Sequence, residues 1–358
     1  METYFTFDDV LIVPQFSDIQ SRKDVDLSVY TSPKLFRWFG SSSLPVISAN
    51  MDTITDARMA RSMLKYGAQA CLHRFCTIEE NVKMFSESEV SVEDDEDCRH
   101  SPMVSIGLGK EELDRAYALY GNCATRFVID VAHGAQQAVV DQAKKLREII
   151  KDNGAIMVGN FASGSSVEDF IEKCGPNVVD AAKVGVGPGS ACTTRIKTGV
   201  GFPQLSAIEE IARVARHFGF GVIADGGMKT PGDIAKALGA GAHMVMLGGM
   251  LAGTDETPGE IFYPEGPGPQ CPVKSYRGSA SQESYEAQGK KGTHRTSEGE
   301  SFMVPYKGSV VDVLQDIEGG LRSSFTYVGA RNIGEFHEKV EFVRITNATS
   351  KENGAHGK

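Results

Sequence analysis

The sequence predicts an α/β protein, a closed (β/α)8 TIM barrel, and three observations carry the prediction. Short apolar, β-branched runs recur along the chain, amphipathic stretches of helical period alternate with them, and the count of such units reaches eight. Strands apolar on both faces mark a parallel sheet covered by helices, because neither face meets water. An open doubly wound sheet is the rival arrangement. It is weakened by the lack of GxGxxG after an early strand, since "DVAHGAQ" is not a dinucleotide fingerprint.

The expected strands, in order, are 44–49 "LPVISA", 67–72 "GAQACL", 102–107 "PMVSIG" and 126–131 "RFVIDV". They continue with 154–159 "GAIMVG", 177–184 "NVVDAAKV", 220–224 "FGVIA" and 242–247 "AHMVML". Helices are expected at 55–66, 110–120, 135–151, 164–174, 204–218 and 231–239, with the last barrel helix at 310–322. Residues 1–346 thus form one barrel domain. Three segments exceed a minimal barrel: 1–43 before the first strand, the acidic 86–100 "SESEVSVEDDEDCRH", and 250–309. The acidic stretch reads as a solvated loop. The insertion at 250–309, between strand eight and the last helix, is poor in large apolar groups and reads as a long irregular lid or binding flap. The tail 347–358 is expected to be disordered.

Composition narrows the partners. A net charge of -10 argues against nucleic acid and anionic membrane, and no apolar run is long enough to cross a bilayer. The opening residues lack a basic start and a long apolar core, so a cytoplasmic location is expected. Seven scattered cysteines, odd in number and without a CxxC pair, predict free thiols and no structural metal.

Phosphate in such barrels binds at the loops after strands seven and eight. Here those loops read "ADGGMKTPGD" and "LGGMLAG", placing Gly226, Gly227, Gly248 and Gly249 where backbone N–H groups attract an anion. Tight turns are the plain alternative. Asp225 is suited to ribose hydroxyls rather than phosphate. Flavin and sugar-phosphate barrels share this pattern, so alone it names no ligand. The loop after strand six, within 183–195 "KVGVGPGSACTTR", holds Cys192 among glycines, with Ser190 before it and Thr193, Thr194 and Arg195 after it. Thiolate is the nucleophilic form, and loop N–H dipoles with Arg195 favour it over a free thiol of pKa about 8.5. The threonine hydroxyls are candidate proton relays. Cys71, Cys123 and Cys174 fit the commoner role of small buried hydrophobes.

The strings "VGVGPGSACTTRIKTGVGFPQLSAI", "DGGMKTPGDIAKALGAGAHMVMLGGMLAG", "SEGESFMVPYKGSVVDVL", "FDDVLIVPQFS" and "VISANMDTIT" resemble the barrel of the IMP dehydrogenase/GMP reductase family, from about residue 5 to about residue 345. About thirty residues separate Leu72 from Met103, too few for the regulatory CBS domains that many dehydrogenases insert there. "GPGSACTTR" is similar to the reductase form of the loop, where dehydrogenases resemble "GSGSICIT". Residues 281–297 lack the flap Arg-Tyr pair that activates water in dehydrogenases.

The resemblance therefore implies an oxidoreductase of purine nucleotide metabolism: NADPH-dependent reductive deamination of GMP to IMP through a Cys192 thioimidate. It implies Thr194 and Glu298 as the proton relay. Ser190, Asp225, Gly226, Gly227, Gly248, Gly249, Tyr276 and Gly278 would hold nucleotide, with Arg295 and Gly299 closing on the base. Arg74, Asp130, Val131, Ala132, Ser323, Ser324 and Thr326 match cofactor positions. Ser21 and Arg22 match positions that reach the cofactor from a neighbouring subunit of a homotetramer. Backbone carbonyls of Gly187, Gly189, Cys192 and Arg195 resemble a potassium (K+) site. "YRG", Ser279, Ala280, His294 and the long "YPEGPGPQCPVKS" depart from the reductase pattern. An IMP dehydrogenase without regulatory domains, a reductase of a modified purine nucleotide, a flavin barrel and a silent nucleotide sensor stand as alternatives.

Overall fold

The computed structural model describes residues 2–29, 42–92, 95–265, 271–287, 296–346 and 349. In chain order its strands begin with β1 (Val10–Ile12), β2 (Val46–Ser48), β3 (Gln69–Leu72), β4 (Val90–Val92) and β5 (Asp95–His100). Then come β6 (Met103–Ile106), β7 (Arg126–Asp130), β8 (Ala155–Phe161), β9 (Ala181–Val184) and β10 (Gly221–Asp225). The last are β11 (Met244–Leu247), β12 (Val273–Arg277), β13 (Ser301–Pro305) and β14 (Phe342–Arg344). The barrel is closed: β2, β3 and β6 to β11 pair in parallel in sequence order, and β11 returns to β2 through Val245 opposite Val46. This excludes the open sheet.

Each expected barrel strand forms, and the reason is its composition. β2, β3, β6, β9 and β11 are buried along their whole length, one face against the barrel interior and the other under helices. The helices start on local caps. Asp56 accepts from the backbone of Arg58 and Met59 to begin Ala57–Tyr66, and Thr230 forms a capping box with Asp233 before Pro231–Gly239.

Four expectations on the fold are corrected. Residues 86–100 are not a plain solvated loop, because "TIEE" is a capping box that opens the helix Ile78–Ser88, and Val90 and Val92 then start a hairpin of β4 on β5. The strand expected at 177–184 begins only at Ala181, because Asn177 takes φ 67 and Asp180 turns its carboxylate to the Ile156 amide and Arg147. The last barrel helix continues to Val328, where Gly329 caps it at φ 73. The insertion contains an antiparallel ribbon of β12 on β13, Val273 opposite Pro305 and Arg277 opposite Ser301. Buried Lys274 pins that ribbon, donating to the carbonyls of Thr254 (3.1 Å) and Thr257 (2.6 Å). Cys71 and Cys174 are buried as expected, but Cys123 is exposed, at a left-handed turn after the helix Lys110–Gly121. The expected tail lies, apart from residue 349, outside the described residues.

At the amino end of the barrel, two half-buried histidines meet. His243 accepts from the Val222 amide at 3.1 Å, and its ring stands edge-on to His337 with centroids 5.5 Å apart. Burial, reinforced by the neighbouring ring, pushes His243 down to about 3, and burial also lowers His337. Both rings regain ordinary affinity for protons on unfolding, so the unfolded chain binds more protons below its own pKa of about 6.5. Stability is therefore full above that value and lost as pH falls through the window down to about 3. We expect His243 to cost about 2 kcal/mol at pH 5 relative to pH 7.5. Denaturant melts at the two pH values check this, and the loss should shrink in His243→Asn, whose amide oxygen can still accept from Val222.

Candidate active site

A cleft of about 430 Å³ opens at the carboxyl ends of the barrel strands, where this architecture places ligands. One end is walled by glycine loops. Gly226 and Gly227, directly after β10, both take φ 85, a conformation that side chains resist, and they pack on Pro188 and Gly189. After β11, a Cβ on Gly249 would stand 2.8 Å from Ser190 Oγ and would push that hydroxyl from its present place. Ser190 Oγ donates to Tyr276 Oη at 3.4 Å. Tyr276 comes from β12, and burial raises its phenol so that it stays a donor. Gly248 and Gly278 complete this wall. Loop amides and two hydroxyls converging on one corner suit a phosphate.

The middle of the cleft holds a proton path. Cys192 Sγ lies 3.2 Å from Thr194 Oγ1, and that hydroxyl donates to Glu298 Oε2 at 2.7 Å. Because the threonine proton is committed to the carboxylate, its oxygen is the acceptor facing the sulfur. A thiol proton therefore has a two-step route to Glu298. The arm leading into β13 brings the glutamate in. Cys192 bridges Gly299, the Thr193 amide donates to the Glu298 carbonyl (2.8 Å), and the Glu300 amide donates to the Ala191 carbonyl (2.9 Å). Thr193, the other candidate relay, is not on this route. Its hydroxyl is buried with no partner among the described residues, and it lines a separate cleft with Lys197 and Gln282.

Another part of the cleft is charged. Lys183 Nζ, only 3% exposed, lies 2.5 Å from Asp225 Oδ2 and 3.0 Å from Asp130 Oδ1. Asn160 Nδ2 adds a hydrogen bond to Asp225 Oδ2 at 2.9 Å. Burial works against the charge of Lys183, but the two carboxylates outweigh it and raise its pKa. Burial likewise opposes ionised Asp130, and Lys183, Arg74 and a hydrogen bond from Asn50 overcome it, holding the carboxyl below the usual range. Arg74, Val131 and Ala132 line the same cleft. The Arg74 guanidinium lies 5.1 Å from the Phe75 ring centroid, and its buried Nε has no hydrogen-bond partner among the described residues. A guanidinium with one buried N–H unmet at a cleft wall fits an anionic cofactor.

Other assigned residues lie elsewhere. Ser323, Ser324 and Thr326 turn their hydroxyls back to carbonyls of their own helix, and Arg322 ties that helix to the carbonyl of Arg22. Ser21 and Arg22 thus sit with them and do not line the cleft. Arg295 lies outside the described residues. Gly187, Gly189 and Cys192 share one tight loop, closed by the Cys192 amide on the Gly189 carbonyl at 3.0 Å, whereas Arg195 lies in the following short helix Thr194–Thr198, its carbonyl accepting from the Gly199 amide. The Arg195 side chain packs over Gly187 and donates to the carbonyls of Val186 and Phe202. Among the described residues no cluster of three or more His, Cys, Asp or Glu could hold a metal ion. The loop offers neutral carbonyl oxygens instead, a donor set that fits a monovalent cation.

Sequence reasoning did not single out Lys183, Asn160 or the Asp52–Arg277 pair. Arg277 grips Asp52 with contacts of 2.6 and 3.2 Å, fixing β12 to the loop after β2 beside Tyr276. A lysine inside an otherwise apolar strand was the available signal for Lys183.

Fold and site together define a class: parallel barrels with a glycine-walled anion corner and a loop cysteine wired to a carboxylate. The chain belongs to the IMP dehydrogenase / GMP reductase family, whose domain model matches residues 4–356. GMP reductase of Aeromonas hydrophila is 38% identical over 356 residues, covering 98% of this chain and 97% of that protein. A structure of Trypanosoma brucei GMP reductase in complex with guanosine 5'-monophosphate superposes with a TM-score of 0.89 at 30% identity, covering 100% and 98% of the two chains. Inosine 5'-monophosphate dehydrogenase from Legionella pneumophila gives 0.81 at 41% identity, covering 97% and 99%.

Proposed function

We propose that the protein is a GMP reductase: GMP + NADPH + H+ gives IMP + NADP+ + NH3, a step of purine nucleotide interconversion. The observation that carries this is the Cys192–Thr194–Glu298 chain, at 3.2 and 2.7 Å. Carbon 2 of guanine, between two ring nitrogens, is electrophilic. Cys192 sulfur bonds to it, and the thiol proton passes through Thr194 to Glu298. The amino group cannot leave as an anion. Glu298 returns the proton through Thr194, the C2–N bond breaks, and ammonia departs, leaving a thioimidate on Cys192. NADPH supplies the hydride that carbon 2 then takes up. The C2–S bond breaks, and Cys192 is restored as thiolate.

The glycine corner with Ser190 and Tyr276 would bind phosphate, and Asp225 the ribose. Arg74, Asp130, Val131 and Ala132 would hold the cofactor, with a monovalent cation fixing the Cys192 loop. Homotetramer assembly is part of the proposal, since Ser21 and Arg22 lie off their own cleft and would serve a neighbour's. Among the described residues no helix is long and apolar enough to cross a membrane, and the cytoplasm is the proposed compartment.

The 41% identity to an IMP dehydrogenase favours one second reading, oxidation of IMP with NAD. The two are separated by following reduced-nicotinamide absorbance with GMP plus NADPH and with IMP plus NAD. We expect consumption in the first mixture. Formation of reduced cofactor in the second, with none consumed in the first, would reverse the assignment.

A further inference from the structure

Four successive barrel strands send polar side chains into the cleft: Asp130 from β7, Asn160 from β8, Lys183 from β9 and Asp225 from β10. To reach Asp130 the lysine must cross β8, and the residue that it crosses is a glycine. A Cβ on Gly159 would lie 2.5 Å from Lys183 Cβ and 3.2 Å from Cε, so the crossing requires position 159 to carry no side chain. Both bonds to the Asp225 carboxylate, from Lys183 and Asn160, fall on Oδ2. Oδ1 is the oxygen left to a ligand. A buried ammonium is tolerated only with such partners, and removing it would leave two carboxylates sharing one partly buried space.

We propose that Lys183 is a positioning residue that ties the ribose-side carboxylate Asp225 to the cofactor-side carboxylate Asp130, so that both halves of the cleft depend on one cation. This rests on the cleft taking a purine mononucleotide and a nicotinamide dinucleotide. The bridge fixes the Asp225 plane from below while holding Asp130 ionised. Loss of the charge therefore loosens both subsites at once, although Lys183 need touch neither ligand.

Lys183→Met keeps the stem and removes the charge. Calorimetric titrations of GMP and, separately, of NADP+ into the full chain read the effect without turnover. Both dissociation constants should rise at least tenfold, and Lys183→Arg should recover most of the loss. Adding Asp130→Asn to Lys183→Met should tighten GMP again at least threefold, because one of the two like charges is then gone. A lysine that merely supported the fold would give no such recovery. If Lys183→Met weakens only one ligand, or the double variant binds GMP no better than the single one, the bridge is refuted. Should Lys183→Met not fold, Lys183→Gln is judged by the same criteria. A wild-type protein that binds both nucleotides yet turns over neither GMP nor IMP sinks the proposed activity alone, and the titrations still decide the bridge. One that binds neither nucleotide sinks both.

Discussion

Cys192→Ala is expected to lower kcat by about 10⁴-fold or more while GMP affinity changes by less than about threefold. The separation follows from where the contacts lie. The sulfur contacts Thr194, whereas the glycine corner, Ser190, Tyr276 and Asp225 belong to other parts of the cleft. Deleting the thiol removes the covalent route and leaves the binding wall intact. Single-turnover assays with calorimetry on the same preparation measure both quantities. A variant that retained even a few per cent of kcat would show that carbon 2 never bonds to this residue.

The second large effect falls on the carboxylate. Glu298→Gln should reduce kcat by about 10²- to 10⁴-fold, the range typical of a lost general acid–base. Glutamine is isosteric and can still accept from Thr194, so the loop and arm should remain joined through Thr193 and Ala191. What it cannot do is hold the thiol proton and hand it to the departing amine. Thr194→Val should give a loss of similar size, and the double variant should be little worse than either single one, because the two groups act as one path. Rapid-quench measurement of ammonia release is the direct assay. Losses that multiply in the double variant would mean that the two groups work separately.

The barrel was legible because its signal is local and repeated: eight apolar runs with helical stretches between them define neighbours in sequence order. The glycine pairs at 226–227 and 248–249 were legible for the same reason, each lying just past a strand end. Cys192 and Thr194 stand two residues apart and could be read together. Glu298 could not. It arrives from 104 residues away, on an arm whose pairing with the catalytic loop leaves no periodic mark. Only the family resemblance pointed to it. Lys183 was hidden differently, inside a strand otherwise apolar, where its meaning depends on Gly159, Asp130 and Asp225 from three other strands. The ribbon of β12 and β13 escaped notice because its partners lie far apart in sequence and its outer residues, such as Met303, are exposed.

The pairing of β1 with β14 sets Val10 opposite Arg344 and Ile12 opposite Phe342, and the Ile345 amide also donates to the Asp9 carbonyl. Residues 9–12 and 342–345 are thereby fastened together, two segments more than three hundred positions apart in the chain. Neither segment can peel away by itself, because each is the other's hydrogen-bonding template. Unravelling of either segment must begin by unzipping this shared clasp.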